Sequence, residues 1–212
     1  MALTLYFHPL SSYCQKVLMA LYENNTPFEP VQIDLSDPVS RATLTAHWPI
    51  GKMPVLVDSD WVVPESSIII EYLDMKYPGR TRFIPADPDL ARQMRLRDRF
   101  SDCYIDDHLG RIAAARMRPN GPDAIAVESS KAMIATALAV VESDMAAKTW
   151  AMGETFTMAD CAAAPALFYA DMVVPFAATH PHAMAYLKRL MARRSYARAL
   201  REAAPYLHLV PT

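Results

Sequence analysis

The sequence predicts an α/β domain of βαβ-ββα order followed by an all-α helical domain, and three observations predict it. Strand-like and helix-like patterns alternate through Tyr77. A proline-bearing stretch without periodicity follows, and after it the strand pattern disappears. The third observation is local. Ser11-Ser12-Tyr13-Cys14 stands between a short apolar strand and a run of helical period, and it has the spacing of a redox C-x-x-C motif whose first cysteine is serine.

The elements follow in order. Leu3 to Phe7 is strand-like, and His8-Pro9 breaks it. Cys14, Val17, Leu18 and Leu21 fall at i, i+3, i+4 and i+7, one face of a helix ending near Asn24-Asn25. Phe28 to Ile33 reads as a second strand. Asp37-Pro38 combines an N-cap with proline at the first helical position and opens a short helix through Thr45. Val55-Leu56-Val57 and Trp61-Val62-Val63 flank the polar turn Asp58-Ser59-Asp60 as a hairpin. Residues 65 to 76 form a helix with Ile68, Ile69, Tyr72 and Leu73 apolar, ended by Tyr77-Pro78-Gly79. Residues 1–78 then make the first domain, 79–88 a linker and 89–212 the helical domain. In the latter, Leu90 to Met117 is a long arginine-rich helix and Pro119-Asn120-Gly121-Pro122 a hard break. A second helix runs from Asp123 to about Lys148, Thr157 opens a third, Pro181 a fourth, and a short fifth precedes Pro205. Phe156-Thr157-Met158-Ala159-Asp160 reads as a capping box, so Asp160 is structural.

Bulk properties exclude several classes. At 212 residues the chain can bury a proper core, and 52% hydrophobic with 21% charged residues is ordinary for a globular protein. A formal charge of −2 predicts no pull toward nucleic acid or anionic lipid. No run approaches the ~20 consecutive apolar residues of a membrane span, and Met1-Ala2-Leu3-Thr4 does not read as a signal peptide. Three widely spaced cysteines (Cys14, Cys103, Cys161) argue for a reducing compartment, the cytoplasm by default. The histidines give no metal pattern, and the five glycines form no phosphate-cradling loop.

The chemistry concentrates at residues 11 to 14. Without its first sulfur the motif cannot close an internal disulfide, so dithiol exchange is disfavoured. What remains is a hydroxyl at a helix N-terminus, where backbone N–H groups and the helix dipole favour an anion. A thiolate brought in by a substrate is a natural one. Ser12 and Cys14 rival Ser11, but Cys14 falls on the apolar face and reads as a buried thiol. Tyr6 lies inside the strand and reads as core.

Three features occur in order: Ser11-Ser12-Tyr13-Cys14 after strand one, Gly51-Lys52-Met53-Pro54-Val55-Leu56 before strand three, and Pro64-Glu65-Ser66-Ser67-Ile68-Ile69 opening the next helix. With the helical second half, the chain resembles the cytosolic glutathione S-transferase family over essentially its whole length. The theta, delta, zeta-like and bacterial classes that use serine are the most similar. The resemblance implies a thioredoxin-like N-terminal domain and glutathione as co-substrate. It implies a cis Met53-Pro54 bond whose Met53 edge pairs with the cysteinyl part like an added strand. Ser66 and Glu65 would hold the γ-glutamyl carboxylate and ammonium, and Lys52 the glycyl carboxylate. The plainer alternatives are a trans turn, a helix cap and a solvated lysine. In several related classes an arginine follows this serine; here it is Ser67. Ser11 would donate a hydrogen bond to the thiolate, with Ser12 beside it among the glutathione-binding residues. Tyr104, His108 and Arg111, with Met117, are the candidates for the electrophile pocket. Arg92, Arg95, Arg97 and Arg99 read as a solvated face or intersubunit contacts. The implied protein is a homodimeric transferase acting on a small hydrophobic electrophile. The rivals are a zeta-like glutathione-dependent cis–trans isomerase and a regulatory or binding protein without catalysis.

Overall fold

The computed structural model describes residues 3–118, 121 and 123–210. The predicted break at Pro119-Asn120-Gly121-Pro122 therefore lies, Gly121 excepted, outside the described residues. The first part is a four-stranded sheet in the order β2-β1-β3-β4. β1 (Leu3–Phe7) runs parallel to β2 (Phe28–Gln32) and antiparallel to β3 (Val55–Asp58), which pairs with β4 (Trp61–Pro64). Asp58 faces Trp61 across the two-residue turn Ser59-Asp60, and Ser59 takes a positive φ of 56°.

Strand periodicity decides which helix covers which face. Leu3, Leu5 and Phe7 enter the main core with α1 (Ser12–Glu23) and α3 (Ser66–Lys76). Tyr6 points the other way, onto Ile33, Leu44 and Val55 under α2 (Pro38–His47). Proline starts α2 and Asp37 caps it, accepting from the Val39 and Ser40 amides at 3.2 and 3.0 Å.

The second part is helical among the described residues. α4 (Pro88–Ser101) passes through a π-helical turn, Asp102–Asp106, into α5 (Asp107–Arg116) without a break. The others are α6 (Ala124–Met145), α7 (Met158–Val173), α8 (Pro181–Ala192) and α9 (Arg194–Ala203). α6 is the one described helix long and apolar enough to cross a membrane by length and composition. It carries Glu128, Lys131, Glu142 and Asp144, and it sets Val127, Ile134 and Leu138 into the core. Asp160 at the start of α7 is structural. Its carboxylate accepts from the Thr157 and Ala151 amides at 2.8 Å each and from the Tyr186 hydroxyl at 2.6 Å.

The two parts share one core, and α1 is its hinge pin, packing on α3 as well as on α7 and α9. The segment between α3 and α4 is fastened at both ends. Asn24 clamps Thr81 through its side-chain amide, donating to the carbonyl and accepting from the N–H at 2.9 Å each. Buried Phe83 donates its N–H to Asp74 at 2.8 Å and accepts from the Met158 N–H at 3.1 Å. Gly79 is required where it stands, because an added Cβ would lie 2.3 Å from the Asn24 side chain.

Candidate active site

Two cavities open on the seam between the sheet part and the helical part, and the Tyr13 side chain forms a wall of both. The first, about 400 Å³, is polar: Lys52, Met53, Pro54, Glu65 and Ser66 line one side, and Arg95, Arg99 and Cys103 the other. The second, about 320 Å³, is mostly apolar: Leu109, Ile112, Ala113, Val173 and Val210 line it. Its polar groups include Ser11, Ser12, Asp106 and Tyr169.

Ser11 is the N-cap of α1, its Oγ accepting from the Cys14 N–H at 3.4 Å. That bond uses an oxygen lone pair and leaves the hydroxyl proton to be donated elsewhere. The loop carrying Ser11 is anchored from beneath. The Tyr169 hydroxyl donates to the Leu10 carbonyl at 2.7 Å and accepts from Gln15 Nε2 at 3.0 Å. Gln15 Nε2 also donates to the Pro9 carbonyl at 2.9 Å. Cys14 is fully buried in the main core, and burial pushes its thiol up to about 12, away from the thiolate form a nucleophile needs.

On the opposite wall the Met53–Pro54 bond is cis. Glu65, the N-cap of α3, has φ of +70° and makes no capping bond with its side chain. A non-glycine residue held there costs roughly 1–3 kcal/mol, a cost that clusters at ligand sites. Capping alone does not account for Glu65, whose carboxylate is exposed in the cavity wall.

Beneath this wall lies a buried charge cluster. Lys16 Nζ is 2.7 Å from Asp98 Oδ1 and 2.9 Å from Asp102 Oδ2, and it donates to Ser67 Oγ at 2.8 Å. Ser67 in turn donates to Asp98 Oδ2 at 2.7 Å. Burial works against the Lys16 charge, but Asp102 and Asp98 outweigh it and hold the ammonium above its usual range. Burial also raises the Asp102 carboxyl, against the pull of Lys16. The residue after Ser66 thus turns inward, and the cation at this place comes from α1.

The predicted site residues divide. Lys52, Met53, Pro54, Glu65 and Ser66 come together on the first cavity, while Ser11 and Ser12 lie on the second. Tyr104, His108 and Arg111, expected to line an electrophile pocket, line neither cavity. Tyr104 is exposed and packs on Phe100, with ring centres 5.3 Å apart. The same helical rod lines the second cavity with another face, through Asp106, Leu109, Gly110, Ala113 and Arg116. The physical reason is that Asp98, Asp102 and Asp106, four residues apart, are buried, so polarity does not mark the outward face. Arg95 and Arg99 are also more than a solvated face, since both line the first cavity. Arg95 forms a two-pronged pair with Glu71 at 2.7 and 2.8 Å, and Arg99 Nη2 lies 3.2 Å from Cys103 Sγ. Sequence reasoning missed Tyr13, Lys16 and Asp106; only Lys16 left a signal, a charge beside Val17 in an otherwise apolar run.

A thioredoxin-like sheet domain and a helical domain, with a polar and an apolar cavity meeting at the start of α1, define a class of fold and site. The sequence matches the glutathione S-transferase N-terminal domain over residues 5–81 and the C-terminal domain over residues 101–194. It is 31% identical to glutathione S-transferase 3 of Zea mays over 202 residues, 92% of this chain and 91% of that protein. It is 30% identical to a stringent starvation protein A homolog of Haemophilus influenzae, over 96% of this chain and 92% of that one. A glutathione S-transferase of Methylobacterium radiotolerans, solved with glutathione sulfonate, superposes with a TM-score of 0.82 at 30% identity over 94% of each chain. The chain belongs to the glutathione S-transferase family.

Proposed function

We propose that the protein is a glutathione transferase that binds glutathione in the polar cavity and attacks an electrophile held in the apolar one. The observation that carries this reading is that the polar and the apolar cavity share Tyr13 as a wall at the start of α1, with Ser11 lining the apolar one. Glutathione as co-substrate is supported by relatives solved with it or its sulfonate. Ser66 at the start of α3 takes the γ-glutamyl carboxylate, Glu65 the ammonium, the Met53 edge the cysteinyl backbone and Lys52 the glycyl carboxylate. Ser12, expected among the glutathione-binding residues, lines the apolar cavity together with Ser11.

Serine has no accessible anion near neutral pH, so Ser11 acts as a donor to the thiolate and not as a base. A charge-assisted hydrogen bond of roughly 1.5–3 kcal/mol lowers the thiol by about one to two pKa units from its free value near ~8.5. That makes bound glutathione nucleophilic at pH 7, and the apolar cavity supplies proximity. Association of two copies is supported by the exposed Trp61, Ile68 and Met75 on β4 and α3. Three free thiols among the described residues suit the cytoplasm.

A second reading rests on the similarity to stringent starvation protein A homologs: a binding protein of regulatory role, without turnover. Calorimetry with glutathione and thiol consumption with a chloronitroarene separate the two. The transferase reading expects both binding and turnover. Heat stability unchanged by excess glutathione would remove its basis.

A further inference from the structure

Asp106, which shares the wall of the second cavity with Arg116, is a buried carboxyl that the proposed chemistry leaves unused. It ends the π turn between α4 and α5, is 4% exposed, and forms part of the cavity wall with Ser11, Ser12 and Tyr13. Neither carboxyl oxygen has a hydrogen-bond partner among the described residues. The Ser12 hydroxyl faces it and favours its charged form, but the approach falls short of hydrogen-bond geometry. π turns re-aim side chains and recur at functional sites.

A buried carboxylate with no partner in hydrogen-bond geometry is disfavoured against the neutral acid. The groups around it point the same way. Burial acts first, then Asp102; Asp107 adds to them, while Ser12 and Lys16 oppose them, and the carboxyl is raised well above its ordinary range. Tyr13 on α1, Tyr169 on α7 and Tyr196 on α9 also face it, and all three are neutral phenols near neutral pH. A neutral carboxyl carries one O–H, and with no partner in hydrogen-bond geometry among the described residues that proton is available to a ligand in the cavity.

We propose that Asp106 is the acid of the electrophile cavity, donating to the oxygen of an α,β-unsaturated carbonyl compound as glutathione adds to it. This rests on the transferase reading above. The thiolate sulfur forms a bond to the β-carbon, and the C=C pair moves to place charge on the carbonyl oxygen. The Asp106 proton passes to that oxygen, giving an enol that reverts to the ketone in water. The carboxylate recovers a proton from solvent, equal to the one lost when the thiol ionised. Aryl halide substitution spreads its charge over ring and nitro groups and gains less from a single donor, so carbonyl acceptors are the favoured class.

The test compares glutathione addition to an alkyl vinyl ketone with substitution on a chloronitroarene, in wild type, Asp106→Asn and Asp106→Leu. General acids contribute about 10²-fold or more. The enone kcat is expected to fall about 10²-fold in Asp106→Leu, at least tenfold further than the arene kcat, and less in Asp106→Asn. The wild-type enone rate should also decline at high pH where the arene rate still rises, and this decline should vanish in Asp106→Asn. Equal losses with both substrates, no loss with either, or no wild-type turnover of the enone alone would overturn the proposal. If the wild type turns over neither substrate and does not bind glutathione in calorimetry, the transferase reading fails and takes the proposal with it. Thermal melting of both variants separates a folding defect from a lost acid, and Asp106→Asn, nearly isosteric, carries the pH test if Asp106→Leu does not fold.

Discussion

Asp98 and Asp102 on one side, and Asp106 one turn further on, are the same residue type at the same four-residue spacing along one helical rod. The first two meet Lys16, and Asp98 also accepts from Ser67, so their burial is compensated and fastens α4 to α1 and α3. The third meets nothing in hydrogen-bond geometry and borders a cavity. Burial alone therefore does not define a carboxylate's role; its partners do. Where a cation and a hydroxyl are provided the group holds the fold, and where they are withheld at a cavity wall it is free to act on a ligand.

Removing the partner breaks the comparison most severely. Lys16→Met leaves Asp98 and Asp102 buried without a cation and should destabilise the protein by about 3–5 kcal/mol. The melting temperature should fall by about 6–20 °C at this chain length. Adding Asp98→Asn and Asp102→Asn to that variant should restore part of the loss in the same melts.

A smaller effect is expected beneath the Ser11 loop. Tyr169→Phe removes the donor to the Leu10 carbonyl, for about 1–3 kcal/mol in urea denaturation. It should lower kcat more than it raises the glutathione KM, because it loosens Ser11 and not the polar cavity.

The smallest change is one of slope. A group whose folded pKa is raised contributes stability that is complete below its unfolded value, about 4 for aspartate, and is lost as pH climbs toward the folded one. Asp106 is such a group. Asp106→Asn should therefore gain stability over wild type as pH goes from 4 to 8, read as a widening gap in melting temperature. A gap that narrows would mean that Asp106 is ionised in the folded state.

Most of the fold was legible because its signals are local. Asp37-Pro38, Thr157 with Asp160, and the alternation in β1 each act within one turn or one strand. Lys52, Met53, Pro54, Glu65 and Ser66 were legible as a group because ordered motifs bring them to one wall. The lining of the second cavity was not. Helical spacing marks Tyr104, His108 and Arg111 as one face, but the inward face carries Asp98, Asp102 and Asp106, and the first two are buried against a lysine more than eighty residues earlier in the chain. The π turn, which fixes which residues follow on which face, has no sequence signal of its own here. Tyr13 carries no sequence signal because its importance is positional: it lies between two cavities that exist only once the helical part is docked.

The transferase account stands or falls on the state of bound sulfur. Titrating the ultraviolet absorbance of the thiolate in the glutathione complex, for wild type and Ser11→Ala, measures it directly. The expected wild-type midpoint lies about one to two units below free glutathione, with Ser11→Ala returning most of that difference. Identical midpoints in the two proteins would contradict the assignment of Ser11 as the thiolate's hydrogen-bond donor.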